Sequence, residues 1–381
     1  MQPNLALPPQ SNPNLSPEES DSEALLLSAD RLAYFHLVYQ GFQRAAQAAG
    51  TVDYFYIIGG YTLCLRFAGL GLIPQITPAL SHLATQPTAN PDLTICLWDN
   101  ASTGARLPLL IGSLLELIQL HWTDHLGPRK EIKAYDGDRI RTNFHIGPNI
   151  LSVLDRQQNL ACYWIEDAQN IPYWEKGSPL QTILNWWTSD RHHQYVHAGA
   201  VGTPNGGVLL AGKGGSGKSS TALACIDSPL VYASDDYCLV STDPSPYVYS
   251  LYNTAKLKGQ ADLERFPNLA GLVNNLDRLG LEKAMLFLHQ HHPEKIVRGF
   301  PIKAVLIPQV TGKPDTHLRP TTAGMALKAL APSTIFQLAG SGQTAFQLMS
   351  SLVKQVPCYV LELGTDMAQI PDVILQLLSE I

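Results

Sequence analysis

Val208-Leu209-Leu210-Ala211-Gly212-Lys213-Gly214-Gly215-Ser216-Gly217-Lys218-Ser219 is the stretch on which the reading of this chain turns. Its start is an apolar run, predicted as a strand over 207–211, and its last eight residues satisfy G-x-x-x-x-G-K-[ST] at every fixed position. Ser219-Ser220-Thr221-Ala222-Leu223-Ala224 continues as a helix, predicted over 216–226. Strand, glycine-rich loop and helix in this order make a phosphate cradle. Glycine accepts positive φ, so the backbone can curl its N–H groups around an anion, and the start of the helix adds its positive dipole end. Gly212, Gly214, Gly215, Ser216, Gly217, Lys218, Ser219 and Ser220 are therefore the expected binding residues for ATP. Lys218 would reach the β- and γ-phosphates, and the Ser219 hydroxyl would ligate Mg²⁺.

Working outward, a short apolar strand over 230–233 leads to Asp235-Asp236. Neighbours on a strand face opposite ways, so one carboxylate can face the γ-phosphate and the other Mg²⁺ or an orienting partner. A carboxylate beside a nucleophilic hydroxyl can take its proton during phosphoryl transfer. The plainer alternative is a pair of turn or capping aspartates at a strand end. His197 closes the run Gln194-Tyr195-Val196, and taken alone it reads as a structural histidine.

His197-Ala198-Gly199-Ala200-Val201, then Gly207 to Gly212, then Gly217-Lys218-Ser219, then Ser234-Asp235-Asp236, resemble in order and spacing the C-terminal kinase domain of HPr kinase/phosphorylase. The resemblance implies Asp235 as general base, His197 as its support, Ser219 and Asp236 as Mg²⁺ ligands, and a phosphoenolpyruvate-carboxykinase-like mixed sheet around the phosphate loop. It covers at most residues 190–381 and is specific over 197–240. The family's second motif, with a Glu and a Gly-rich turn, is not found. Tyr252-Asn253-Thr254-Ala255-Lys256-Leu257-Lys258-Gly259 stands in its place with lysines. The chain is more similar to the kinase-like proteins encoded beside peptide-modification genes, in its N-terminal half as well. The resemblance thus implies a serine hydroxyl of a peptide or small protein as phosphoryl acceptor. A nucleotide-sensing module without transfer and a small-molecule kinase are the alternatives.

The rest of the chain sets the frame. Its 381 residues fit two domains, and 45% hydrophobic with 15% charged residues can bury a core. Residues 1–22, rich in Pro, Ser, Asn and Glu, read as a disordered tail. Residues 23–190 read as an N-terminal α+β domain for substrate recognition, with a helix over 24–49 and strands over 52–58, 61–67, 93–98 and 160–165. The stretch 114–122 is helix or buried strand, and Ser178 with Pro179 signals a helix start running to 187. Residues 191–381 alternate strands (247–252, 303–308, 356–363) with helices (322–330, 333–353, 366–379), an α/β pattern.

A net charge of -6 gives no footprint for nucleic acid or an anionic membrane, and no apolar run spans a bilayer. Six scattered cysteines read as reduced thiols, and with no signal peptide the expectation is a cytoplasmic protein; a homo-oligomer is compatible with it. His289, His291 and His292 read as a solvated loop before a metal site. Lys256, Lys258, Arg298 and Lys303 are the cations that could meet phosphate or acceptor, and Trp164, Trp186 and Trp187 are core or interface residues.

Overall fold

The computed structural model describes residues 30–337 and 342–381, so the tail expected over 1–22 lies outside the described residues. The first half is a six-stranded mixed sheet of β1 (Thr51–Ile58), β2 (Tyr61–Ala68), β3 (Leu93–Asp99), β4 (Ile140–His145), β5 (Ile150–Asp155) and β6 (Leu160–Ile165), in the order β1-β2-β3-β6-β5-β4. Helix α1 (Arg31–Ala49) covers one face. Its Tyr34, Phe35, Val38, Phe42 and Ala45 recur at helical spacing, and Asp30 caps its start by accepting from the N–H groups of Leu32 and Ala33. The ambiguous stretch 114–122 is helical: α2 (Leu109–Leu120) buries Ile111, Leu115 and Ile118 beside α1.

The other face of this sheet packs on Ile76, Ala79 and Leu80 of the helix Ile73–Leu80, on α4 (Gln181–Ser189), which follows the short helix α3 (Tyr173–Gly177), and on residues of the second half. One continuous apolar cluster joins Leu65, Leu97 and Tyr163 through Leu184 and Trp187 to Tyr195, Leu239, Tyr252 and Phe287. The helix start expected at Ser178 is displaced. Ser178 instead ends α3, and α4 begins at Gln181 after Leu180 with φ 61°. The buried Glu175 carboxylate accepts the Leu180 N–H at 2.9 Å, and the Ser178 hydroxyl is taken by Lys256, so it does not cap.

The second half is built on β7 (Gln194–Val196), β8 (Gly199–Thr203), β9 (Gly206–Leu210), β10 (Val231–Ser234), β11 (Cys238–Ser241), β12 (Tyr247–Ser250), a β-ribbon of β13 (Thr254–Leu257) with β14 (Ala284–Phe287), β15 (Gly299–Val310), β16 (His317–Thr321) and β17 (Cys358–Leu363). The main sheet runs β10-β8-β9-β15-β12-β11-β7, with β17 on β15 and β16 on β17. The 12-residue β15 holds it together. Its start pairs with β12, its middle lies parallel to β9, and its end lies parallel to β17. Helices lie on both faces. α5 (Lys218–Ala224) and α8 (Gln369–Glu380) pack on one, and α6 (Ala323–Gln337) with α7 (Gly342–Gln355) on the other. This is the α/β class expected. The helix read over 322–330 runs further, since α6 continues through Pro332 to Gln337 with Ala326, Leu330 and Thr334 buried, and α7 is described from Gly342 on. All six cysteines are free and buried, and no described helix is long and apolar enough to cross a membrane.

Trp187 is a large side chain in the core shared by the halves. It is 1% exposed, donates from Nε1 to Asn159 Oδ1 at 3.1 Å, and carries the Arg191 guanidinium 3.9 Å above its ring. Trp187→Ala is expected to cost about 3–5 kcal/mol of stability, read from urea unfolding; a loss below about 1 kcal/mol would show that the shared core does not hold the two halves.

Candidate functional site

The site forms where a ladder is interrupted. β7 runs into β8 through His197 and Ala198, and β10 into β11 through Asp235, Asp236 and Tyr237. The two segments pair antiparallel on both sides of the break: Ala200 with Ser234 and Val201 with Tyr232 on one side, Val196 with Cys238 and Tyr195 with Leu239 on the other. A shift of register at Tyr232/Ser234 marks the irregularity. Such breaks re-aim side chains that a regular pleat would alternate. Asp235 and Asp236 follow the strand, as expected, but they lie in a bend where the alternation of a pleat does not hold, and both line one cavity. Ser234 secures the bend, its hydroxyl lying 3.0 Å from the Ala198 carbonyl and 2.9 Å from the Tyr237 carbonyl.

The two aspartates differ sharply. Asp236 Oδ1 accepts from His197 Nε2 at 2.8 Å and its Oδ2 from Lys256 Nζ at 3.0 Å. Burial pushes its carboxyl up, but the Lys256 charge and the His197 bond outweigh burial and hold it well below the usual carboxylate range. The accepting carboxylate fixes a proton on Nε2 of His197. His197 is further held by its backbone N–H on Thr334 Oγ1 at 3.2 Å and by the Tyr237 ring 5.1 Å away. Asp235 is 2% exposed; its Oδ2 accepts the Lys256 N–H at 2.9 Å, while Oδ1 has no hydrogen-bond partner among the described residues. The nearby Ser219 hydroxyl draws its pKa down. Burial and the Asp236 charge prevail, and the net shift is upward.

The glycine-rich loop leaves β9 at its parallel pairing with β15 and enters α5 at Lys218. Gly217 has φ 105°, and a Cβ there would come within 2.4 Å of Leu363 Cδ1. Gly215 has φ 84°. Lys218 is 6% exposed and folds back over the loop, donating to the Gly212 carbonyl at 2.7 Å and more weakly to that of Lys213 at 3.4 Å. Burial lowers its pKa against the pull of Asp235 and Asp236. Its ammonium thus rests on backbone oxygens that a phosphate oxygen could replace.

A cavity of about 640 Å³, within the range of small-ligand sites, gathers these groups. Of the expected binding residues, Gly214, Gly215, Gly217, Lys218, Ser219 and Ser220 line it, together with His197, Asp235 and Asp236; Gly212 and Ser216 are not among its lining residues. Lys256 and Lys258 line it, whereas Arg298 donates to the Ala84 carbonyl and Lys303 packs along Gly206, both elsewhere. Sequence reasoning missed Arg265 and Lys283, and it missed Tyr173, Trp174, Ser178 and Gln181 of the first half. No motif marks these four; what brings them here is the dock of α3 on β13, where Thr254 Oγ1 bonds the Gly177 carbonyl. The ring of His289 sits at Ser81, 3.0 Å from its hydroxyl, away from the cavity.

An oxygen donor suited to Mg²⁺ is present in the Ser219 hydroxyl, a hard ligand of the kind that shares this ion with phosphate oxygens and water. Among the described residues no three or more His, Cys, Asp or Glu side chains cluster as a metal cage.

Comparison with protein-family models and with curated proteins gives no match. Among solved structures, the chain is similar to the Hpr(Ser) kinase/phosphatase from Coxiella burnetii, at 12% sequence identity and a TM-score of 0.29, over 49% of this chain and 97% of that one. The likeness is a distant structural one.

Gly217→Ala is expected to destabilise the fold by about 1–3 kcal/mol, since φ 105° strains any L side chain whether or not the Leu363 methyl yields. A thermal midpoint unchanged in Gly217→Ala would contradict the loop conformation described.

Proposed function

We propose that the protein is an ATP-dependent phosphotransferase acting on a hydroxyl, with Asp235 as general base. The observation that carries this reading is the buried Asp235, its Oδ1 without a hydrogen-bond partner among the described residues, in the lining of the same cavity as the glycine-rich loop, Lys218 and Ser219. An orphaned buried carboxylate oxygen costs free energy unless something binds it, so such a group marks a site of use. The loop amides and Lys218 would take the phosphate tail of ATP.

The Ser219 hydroxyl would hold Mg²⁺, which would supply charge to offset that developing on the phosphate oxygens. Asp235 Oδ1 accepts the acceptor's hydroxyl proton as the new O–P bond forms and the bond to the β-phosphate oxygen breaks, releasing ADP. Its raised pKa makes it the better proton acceptor of the pair. Both oxygens of Asp236 are engaged by His197 and Lys256, so we assign Asp236 the role of a fixed counter-charge in place of the metal-ligand role expected for it. His197 orients Asp236, and through it the bend. The acceptor we favour is a serine hydroxyl of a peptide or small protein, in line with the sequence resemblance. Tyr173, Trp174, Ser178 and Gln181, the lining residues from the first half, would form the wall it meets.

Asp235→Asn is expected to lower transfer by about 10²–10⁴-fold while Mg·ATP affinity stays close to wild type. Lys218→Ala is expected to weaken ATP binding about 10- to 100-fold by calorimetry, the worth of a charge-assisted bond. Full transfer activity in Asp235→Asn would remove the base. The rate should also fall on acidification. Asp235 must be ionised to act, and its pKa is raised, so the acid limb of the kcat profile should lie above the ordinary carboxylate value of about 4. An acid limb at or below that value would contradict the assignment.

A further inference from the structure

Lys256 stands where the sequence suggested a cation free to meet phosphate. Instead it has three partners. Its backbone N–H donates to Asp235 Oδ2 at 2.9 Å, and its Nζ donates to Asp236 Oδ2 at 3.0 Å and to Ser178 Oγ at 3.0 Å. Its side chain is 8% exposed. We propose that Lys256 is the positioning residue of this site: one residue on β13 fixes both aspartates and ties them to the Tyr173–Gly177 helix and its following turn. The inference rests on the phosphotransferase reading and deepens it.

The geometry favours positioning over substrate contact. An ammonium has three N–H donors, and two are used by Asp236 and Ser178 within the protein. The strand beneath it is held in register, Lys256 opposite Met285 on β14, so the backbone donor to Asp235 has a fixed direction. The α3 turn is fixed as well. A Cβ at Gly177 would lie 2.7 Å from Lys256 Cε, so the lysine stem fills the space that glycine leaves. Around it, Thr254 Oγ1 bonds the Gly177 carbonyl at 2.5 Å, and the Tyr252 hydroxyl bonds the Pro179 carbonyl at 2.7 Å. Leu180, held at φ 61° two residues past Ser178, is a strained conformer of the sort retained where surroundings over-determine it. Lys258, two residues on, is the contrast. It is exposed, and its Nζ lies 4.0 Å from where a Cβ of Gly215 would be, a position suited to meeting phosphate directly.

The test uses the full chain with Mg·ATP alone as probe, reading ATP affinity and the rate of hydrolysis by water in the site. Lys256→Met keeps the stem and removes the donors. It is expected to lower kcat about 100-fold with little change in KM for ATP, as misplacing a catalytic group does. Lys256→Arg should recover part of the rate. Lys256→Met combined with Asp236→Asn should be no slower than the worse single variant, since the two act as a unit. Ser178→Ala, which cuts only the link to the first half, should lower kcat less than Lys256→Met does. A raised KM with kcat intact in Lys256→Met would make the lysine a phosphate ligand and overturn the proposal, as would additive losses in the double variant. Wild-type protein that binds no ATP, or binds it without hydrolysis, would count against the parent reading before any variant is compared.

Discussion

Pairing of the segments 194–203 and 231–241 on both sides of a gap is the constraint from which the site follows. Were the ladder continuous, the pleat would send one of Asp235 and Asp236 to each face of the sheet. The lapse lets both carboxylates open on one cavity and sets His197 against Asp236. β9 leaves the same sheet two places away and delivers the glycine-rich loop to that cavity. A rigid sheet thus supplies the loop and the carboxylates alike, which suits a site that must hold groups to fractions of an ångström.

Charge then divides labour between two adjacent, chemically identical side chains. Asp236 is compensated by a lysine and a histidine and stays ionised; Asp235 is buried beside that charge and has one oxygen unmatched. Neighbouring carboxylates with pKa values pushed apart are a general device for giving one of them proton-transfer work. The cost of burying Asp235 is offset in part by the backbone donor from β13. The first half of the chain belongs to this arrangement, since α3 and its turn contribute to the cavity lining.

The legible parts of this site were those carried by local sequence. Gly212 to Ser219 declares itself because its backbone demands are specific, and the Asp235-Asp236 pair follows at the end of a short apolar strand. The α/β class was readable from alternation of strands and helices, and α1 from its apolar spacing. Long-range pairing hid the rest. The hairpin of β4 and β5 carries buried Thr142, Asn143 and Ser152, which blur the apolar pattern. Ser178 has the look of a helix cap, yet its hydroxyl is taken by Lys256, 78 residues away in the chain. Lys256 itself, in a segment that lacks an expected motif, reads as an ordinary cation until β13 sets it against both aspartates.

The most direct test is the crystal structure of the protein with Mg²⁺ and a non-hydrolysable ATP analogue. The account predicts the terminal phosphate in the cradle of Gly214 to Ser219, Lys218 Nζ moved from the Gly212 carbonyl to phosphate oxygens, and Asp235 Oδ1 open on that phosphate. A triphosphate bound elsewhere in the cavity, with Lys218 still resting on Gly212, would contradict it.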